Sequence, residues 1–378
     1  MNTHTCQLTT QLLTSWAEVD AIRNDWQQLL TASDANCLFL TPEWIDAWRQ
    51  AVTGIDVQPC VVQIHNRAGE TVGIAPFYVA RQYLLSTLPL RVLRIMGDFP
   101  TGAVYGTVIA HPACSEAVHE LVFETLMSQP VDAVWMPHVA TWNGTAAAVR
   151  QAALKAGFKV MERASTLYHM DLPETYEAYE QTLSKSTRKD FRRSRRKLLE
   201  DAEGLIRRCR SAETLPGFLS QLIELNARRW RGEARKGVFE RKPREAAFYQ
   251  AFTPVALQRG WLRFAQLDVG GAPVASEIGY VYDNTYFAMQ AGLDLDGPPG
   301  SGKVLLNDML RTAIGEGVRQ FDFMTGDASY KSRYAAGTRE TAEFFLVSRS
   351  LRALPLRSGR IWPRGRFLDF TEPKAHHA

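Results

Sequence analysis

"GPPGSGKV", Gly297 to Val304, fits G-x-x-x-x-G-K, the opening of a phosphate-binding Walker A loop. Read that way, it would set a parallel nucleotide-binding sheet. Three features of the sequence argue against this. Val304 stands where a Ser or Thr hydroxyl should meet Mg²⁺. Only about 75 of the 378 residues follow, too few for the βα units such a sheet places after its loop. The run before it, WLRFAQLDVGGAPVASEIGYVYDNTYFAMQAG, reads as three antiparallel strands turned at Gly270-Gly271 and Asp283-Asn284. What survives is the local physics. A glycine-rich turn running into a helix at Ser301–Lys303 presents backbone N–H groups and a positive dipole end, which can cradle a pyrophosphate. The plainer reading is a simple β-to-α turn, although three glycines, two prolines and a lysine exceed what a turn requires.

Working outward, a helix is expected over 302–316, then a strand over 319–324, FDFM at its core, and a short helix ASYKSRY. An acid, two tyrosines, a lysine and an arginine thus cluster just past a strand end, where a structural turn would need only glycine. A final strand, ETAEFFLVS, follows. Upstream, helices are expected over 213–230 and 244–259. Glu277 sits inside the apolar strand VASEIGYVY and alternates onto one face with Ala275, Gly279 and Val281. A carboxylate among small residues is partly desolvated, which raises its pKa towards that of a useful general base. The alternative is that this face is wet or that Glu277 pairs with an arginine.

The first half carries a similar plan. Apolar spacing predicts a helix over 16–32, and Thr41-Pro42 opens another with Trp44, Ile45 and Trp48 on one face. CVVQIHNRAGETVGIAPFYVA reads as a hairpin through Asn66–Gly69, followed by strands LRVLRIMG and AVYGTVIA. A helix over 115–128, a strand VDAVWMPH and a helix over 143–156 complete it. "RAGETVGIAPFYV" and "VGGAPVASEIGYV" share a Gly-x-x-Val step, which suggests one unit written twice. The expected domains are 1–165 and 166–350, with a basic, proline-interrupted tail over 351–378, either a solvated extension or a surface for anionic membranes or partners.

Composition excludes several classes. With 46% hydrophobic and 22% charged residues the chain is ordinary globular protein, and no apolar run reaches membrane-helix length. The N-terminus shows no basic, apolar leader, so a cytoplasmic location is expected. Five scattered cysteines without a Cys-x-x-Cys give neither a zinc site nor a disulfide framework, and no metal is expected. There is no G-x-S-x-G or H-E-x-x-H, and no His-x-x-x-Asp or His-x-x-x-x-Asp pair. Asp294-x-Asp296 is too common a pattern to indicate a metal–sugar-nucleotide site. The net charge of +4 does not imply nucleic acid. The run KSTRKDFRRSRRK, 185–197, does hold eight basic residues, either a solvated helix face or a surface for coenzyme phosphates or RNA. Phe191 alone among them is aromatic, which disfavours a base-stacking platform.

Meander, glycine-rich loop, helix, strand, then a short tyrosine-bearing helix: this order resembles the core of the GNAT acyltransferase fold. "LFLTPEWIDAW", "VLRIMGD", "STRKDFRRSRRKL", "GGAPVASEIG", "PPGSGKVLLNDML" and "FDFMTGDASYKSRY" resemble an acetyltransferase-like family associated with cellulose biosynthesis, the CelD/BcsL type, across about residues 38–335. The tandem plan is also similar to the Fem-type aminoacyl transferases, which end in an aromatic–Lys segment like Tyr330-Lys331. The resemblance implies an α/β protein of two GNAT-like domains, each a mostly antiparallel mixed sheet flanked by helices. It implies acetyl-CoA or another acyl-CoA as co-substrate, held where two strands splay, with its pyrophosphate on Gly300, Ser301, Gly302, Lys303 and Val304. An amine or hydroxyl of a small-molecule or saccharide acceptor would attack the thioester. Tyr330 or Tyr334 would protonate the leaving thiolate, Lys331 would neutralise the oxyanion, and Asp327 would orient it or bind acceptor, beside the candidate base Glu277 read above from its strand. The usual phosphate loop, Gln/Arg-x-x-Gly-x-Gly/Ala, is matched only in part, with Gly297 at its first position. The first repeat has no such loop in "VYGTVIAHPACSEAV" and is expected to be non-catalytic. Two alternatives stand beside this reading: transfer from charged tRNA held by the 185–197 helix, and a non-catalytic GNAT-fold binding or assembly subunit.

Overall fold

The computed structural model describes residues 8–84, 88–231, 237–325, 330–334 and 336–357. The chain forms two compact units. One comprises 1–99, 103–165 and 340–378; the other comprises 100–102 and 166–339.

In chain order the first unit contains β1 (Thr9–Leu13), α1 (Trp16–Ala21), α2 (Arg23–Ala32), α3 (Pro42–Ala51), β2 (Val57–His65), β3 (Thr71–Leu84), β4 (Leu88–Ile95), β5 (Ile109–Ala110), α4 (Ser115–Ser128), β6 (Ala133–Ala140), α5 (Thr145–Ala156) and the first half of β7 (Lys159–Asp171). The second half of β7 opens the other unit, followed by α6 (Tyr176–Thr182), α7 (Lys185–Arg195), β8 (Leu205–Arg208), α8 (Leu215–Arg231), α9 (Val238–Arg241), α10 (Pro243–Gln258), β9 (Leu262–Val269), β10 (Ala272–Tyr282), β11 (Thr285–Leu293), α11 (Ser301–Gly315) and β12 (Gln320–Asp322). β13 (Gly337–Val347) contributes its residues from Glu340 onward to the first unit, with the short α12 (Leu354–Arg357) after it.

Each unit is a mixed, mostly antiparallel sheet flanked by helices, and each repeats one plan. An antiparallel meander (β2–β3–β4; β9–β10–β11) is followed by a crossover helix (α4; α11). The helix returns the chain to a strand that pairs in parallel with the last meander strand over only three residues. In one unit Val92–Arg94 pair with Ala133–Trp135; in the other Thr285–Phe287 pair with Gln320–Asp322. An antiparallel partner lies on the far side of each returning strand, β13 on β6 and β7 on β12.

Local chemistry accounts for most boundaries. Thr41 caps α3 by accepting the Trp44 amide, with Pro42 at the first helical position. Asp283 and Asn284 both take positive φ, as a two-residue hairpin of this kind requires. Three expectations are corrected. The helix expected over 16–32 is two, because Ile22 leaves helical geometry at φ −93°, ψ 9°. The strand expected over 319–324 pairs only over Gln320–Asp322, since Met324 turns to φ 57°. In the described part of ASYKSRY the chain makes a single 3-10 turn, Lys331–Tyr334.

In the second unit the two sheet faces are covered differently. Ala265, Ala275 and Tyr286 pack against Val304, Leu305 and Met309 of α11 and against α6 and α7. The opposite face carries Gln266, whose side-chain amide donates to the Phe218 carbonyl of α8, and Tyr280, packed edge-on against Phe252 of α10.

Candidate active site

β12 stops pairing at Asp322, whereas β11 runs on to Leu293, so one edge of β11 is left without a strand neighbour. That divergence opens a cleft of about 640 Å³, within the usual size of a small-molecule site. β10 and β11 form one wall, Phe323, Tyr330 and Tyr334 another, and α7 and the start of α11 a third.

α11 begins behind Gly300, which sits at φ +93° and ψ 2°, a left-handed conformation that disfavours any side chain. Because the cap is glycine, no side chain satisfies the first N–H groups of this helix. The backbone amides of Ser301, Gly302 and Lys303 are therefore oriented for an anion, reinforced by the dipole of a 15-residue helix. Gly302 and Lys303 line the cleft. Ser301 is buried and its hydroxyl donates to the Pro298 carbonyl. Val304 corrects the sequence reading: its side chain lies in the core and its amide already donates to the Gly300 carbonyl at 2.9 Å.

The basic helix α7 lies against this turn. A Cβ on Gly300 would come within 3.2 Å of the Ser194 hydroxyl. Asp190 of α7 accepts from the Lys303 ammonium, which holds its carboxyl below the usual range. Ser186, Thr187 and Phe191 also face the cleft, whereas Arg192 turns away to pair with Glu180. The helix thus offers a short polar face to the cleft and a basic face beside it.

Glu277 lies on the wall. It is 6% exposed, its Oε1 has no hydrogen-bond partner, and burial pushes its carboxyl up to about 8. Small neighbours make this possible: Ala265 and Ala291 stand opposite it on the two flanking strands, and Ala288 lies on the same face. Tyr334 is buried against Phe191 and Phe323 while still lining the cleft. Burial pushes its hydroxyl well above the ordinary tyrosine value, and the nearby Glu277 charge pushes it further. Tyr330 is 38% exposed and stands edge-on to Tyr334 at 6.4 Å. A buried carboxyl and a phenol therefore face one cavity.

Lys331 corrects the sequence reading. It is 1% exposed, it does not line the cleft, and its ammonium donates at 3.0 Å to each of the Phe323, Met324 and Thr325 carbonyls. All three of its N–H donors are committed, so none remains for an oxyanion. These bonds bridge the left-handed turn at Met324 that ends β12. Asp327 lies outside the described residues. Asp294 belongs to a turn, accepting the Asp296 amide and pairing with Arg228. Among the described residues no three His, Cys, Asp or Glu side chains are grouped to hold a metal, and no helix is long and apolar enough to cross a membrane.

Sequence reasoning missed a polar pair on the far side of β11. Gln290 lines the cleft and donates at 2.8 Å to Glu245, which is 2% exposed and pushed by burial to about 7. It also missed Asn226, which anchors β11 by donating to the Ala291 carbonyl. The pattern alone gave no signal for either.

A meander, a crossover helix with a glycine-turned start and a splayed parallel pair define the GNAT acyltransferase fold. Residues 185–332 match the model of an acetyltransferase (GNAT) domain. Among solved structures the chain is similar to FemX, at 10% identity and a TM-score of 0.62, covering 93% of this chain and 99% of that one. A conserved protein of unknown function from Bacteroides thetaiotaomicron matches at 13% identity and 0.55, over 89% and 100%. The L-PGS of Bacillus licheniformis matches at 12% and 0.50, over 89% and 96%. These likenesses are of fold. No curated protein matches the chain by sequence.

Proposed function

We propose that the chain is an acyltransferase that moves an acyl group from acyl-CoA, acetyl-CoA first, to an amine or hydroxyl. One observation carries the reading: a buried, unpartnered Glu277 and an uncapped helix N-terminus open into the same cleft. The amides of Ser301, Gly302 and Lys303 would hold the donor's pyrophosphate, with the acyl end in the split beside β11. Glu277 takes the proton of the attacking nucleophile, directly or through a water, and the nucleophile forms its bond to the thioester carbonyl carbon. As the C–S bond breaks, Tyr334, with Tyr330 as the more exposed alternative, returns a proton to sulfur. The CelD/BcsL resemblance points to acceptors used in polysaccharide or cell-envelope synthesis, with a first repeat that shapes the acceptor side without catalysing. A second reading, transfer from an aminoacyl-tRNA, is favoured by the basic helix α7 beside the anion-binding turn and by the similarity to FemX. Calorimetry separates them: the first requires saturable acetyl-CoA binding, and the second requires tight, salt-sensitive, tRNA-selective binding instead.

A further inference from the structure

The second unit holds another cavity, of about 490 Å³, that shares no lining residue with the cleft. It opens where β8 leaves β9. The two strands pair from Leu205 with Asp268 to Arg208 with Ala265, and one more bond joins the Cys209 amide to the Phe264 carbonyl. Beyond that point β8 gives Leu262 and Arg263 no strand partner. Met309, Thr312 and Ala313, in the last turns of α11, form the facing wall. The start of α11 therefore lines the cleft, and its end lines this cavity.

Tyr286 of β11 also lines it. The ring is stacked on Phe321 at 4.4 Å and 8°. The phenol then crosses Gly279 of β10, where a Cβ would lie 2.5 Å from its oxygen. Gly279 pairs with Arg263 of β9, so the hydroxyl is carried across the sheet towards that side chain. Tyr286 is 1% exposed and its hydroxyl has no hydrogen-bond partner. Burial pushes it well above the ordinary tyrosine value, so it keeps its proton and can donate. A buried polar group left this way is rare and calls for an explanation. The other polar groups of the lining have partners, with one exception. Arg208 donates to Asp308 and to the Thr312 hydroxyl, which itself donates to the Asp308 carbonyl. Arg263 donates through Nε to Glu316 and through Nη1 to the Gly260 and Leu262 carbonyls. The Cys209 thiol is turned to the Ser211 carbonyl. Arg210 is the exception, exposed and without a side-chain partner among the described residues. Two guanidiniums are thus matched by carboxylates, and the third is not.

We propose that this cavity is a second ligand site, separate from the cleft, that binds a small organic monoanion through its carboxylate. The carboxylate accepts from the Tyr286 hydroxyl and from Arg263 Nη2, which takes no part in the bonds above. Arg210 supplies the balancing charge. The apolar remainder of the ligand lies along Leu262, Met309 and Ala313. Three guanidiniums disfavour a cation. A phosphate dianion fits less well than a carboxylate, because Glu316 and the carbonyl end of α11 stand beside it. The site does not depend on the identity of the donor in the cleft.

The test is calorimetry on the whole chain with benzoate, butyrate and pyruvate, each beside its uncharged amide, and with inorganic phosphate. At least one carboxylate is expected to bind one-to-one with a Kd of about 1 mM or below, and its amide to bind at least about tenfold more weakly. Tyr286→Phe removes a hydroxyl with no partner, so without ligand it should melt no lower than the unaltered protein. It should weaken the carboxylate about 10- to 100-fold, the usual worth of a hydrogen bond to a charged group. Arg210→Gln changes an exposed side chain and should keep the fold while weakening binding about tenfold. Gly302→Val, which fills the cleft, should leave carboxylate binding unchanged. The inference is overturned if no carboxylate binds, if the amides bind as well, or if phosphate binds more tightly than every carboxylate. A lower melting temperature for Tyr286→Phe would show that its hydroxyl is already satisfied, and would overturn it too. So would normal binding by both Tyr286→Phe and Arg210→Gln, or binding lost in Gly302→Val, which would place the carboxylate in the cleft.

Discussion

Replacing Glu277 with Gln should lower activity and raise stability at once. Burial lifts this carboxyl from about 4.5 to about 8, with no partner on Oε1 to compensate. Because the folded value lies above the unfolded one, the folded state is most favoured below about 4.5 and loses stability as the pH rises towards 8. A tenfold change in an ionisation equilibrium corresponds to about 1.4 kcal/mol, so at pH 7 the group costs roughly 3 kcal/mol relative to its protonated form. The amide removes this cost, less the penalty of its own unpaired N–H groups, so the melting temperature should rise at pH 7 and above. Activity should move the other way. With a value of about 8, about a tenth of Glu277 is ionised at pH 7 and about nine-tenths at pH 9. The kcat/KM of the unaltered protein should therefore climb about tenfold between those pH values. Glu277→Gln should lose about 10²–10⁴ in kcat, the usual worth of a general base, and flatten the profile. The assay is thiol release from acetyl-CoA across pH 6–10, with thermal melts run alongside. A flat profile in the unaltered protein, or a variant that melts lower yet turns over normally, would refute the reasoning.

Lys331→Met leaves three carbonyls, two of them buried, without their shared donor. At about 1–3 kcal/mol for each buried group left unsatisfied, a loss of several kcal/mol and a clearly lower melting temperature are expected, with Lys331→Arg keeping part of it. A catalytic defect at unchanged melting temperature would contradict this. At Gly302 a Cβ would meet Leu293 at 3.5 Å, an ordinary contact, so Gly302→Ala should fold normally while Gly302→Val, reaching into the cleft, abolishes acetyl-CoA binding in calorimetry. Tyr334→Phe and Tyr330→Phe separate the two acids. The one that protonates the thiolate should lower kcat about 10²–10³-fold with donor affinity kept, and if neither does, both tyrosines are structural. Reversing Arg188, Arg193 and Arg196 should leave RNA affinity unchanged, because none specific is expected. Tight tRNA-selective binding in a gel shift at physiological salt would favour the aminoacyl-tRNA reading.

What could be read from the sequence was local. Alternation along VASEIGYVY isolated Glu277, and the small residues beside it announced the desolvation that its environment produces. Glycines 300 and 302 announced the helix start, and the turn residues at 270–271 and 283–284 placed the meander. What could not be read depends on partners far apart in the chain. Lys331 sits beside Tyr330 in sequence, but its ammonium reaches back to the end of β12. Glu245 and Gln290 carry no motif, and they acquire meaning only because α10 covers the far face of β11. Asp190 looked like one acid in a basic run until α7 brought it onto Lys303. The basic run itself divides, since a helix of that length shows different residues to the cleft, to Glu180 and to solvent.

The central claim is that the glycine-turned start of α11 and the split beside β11 receive an acyl-CoA. Native mass spectrometry of the purified chain with CoA thioesters of graded chain length tests it most directly. A one-to-one complex with acetyl-CoA is expected, one that survives Gly302→Ala and disappears in Gly302→Val. A chain that binds no CoA thioester, or binds one equally well with valine at that position, would contradict it.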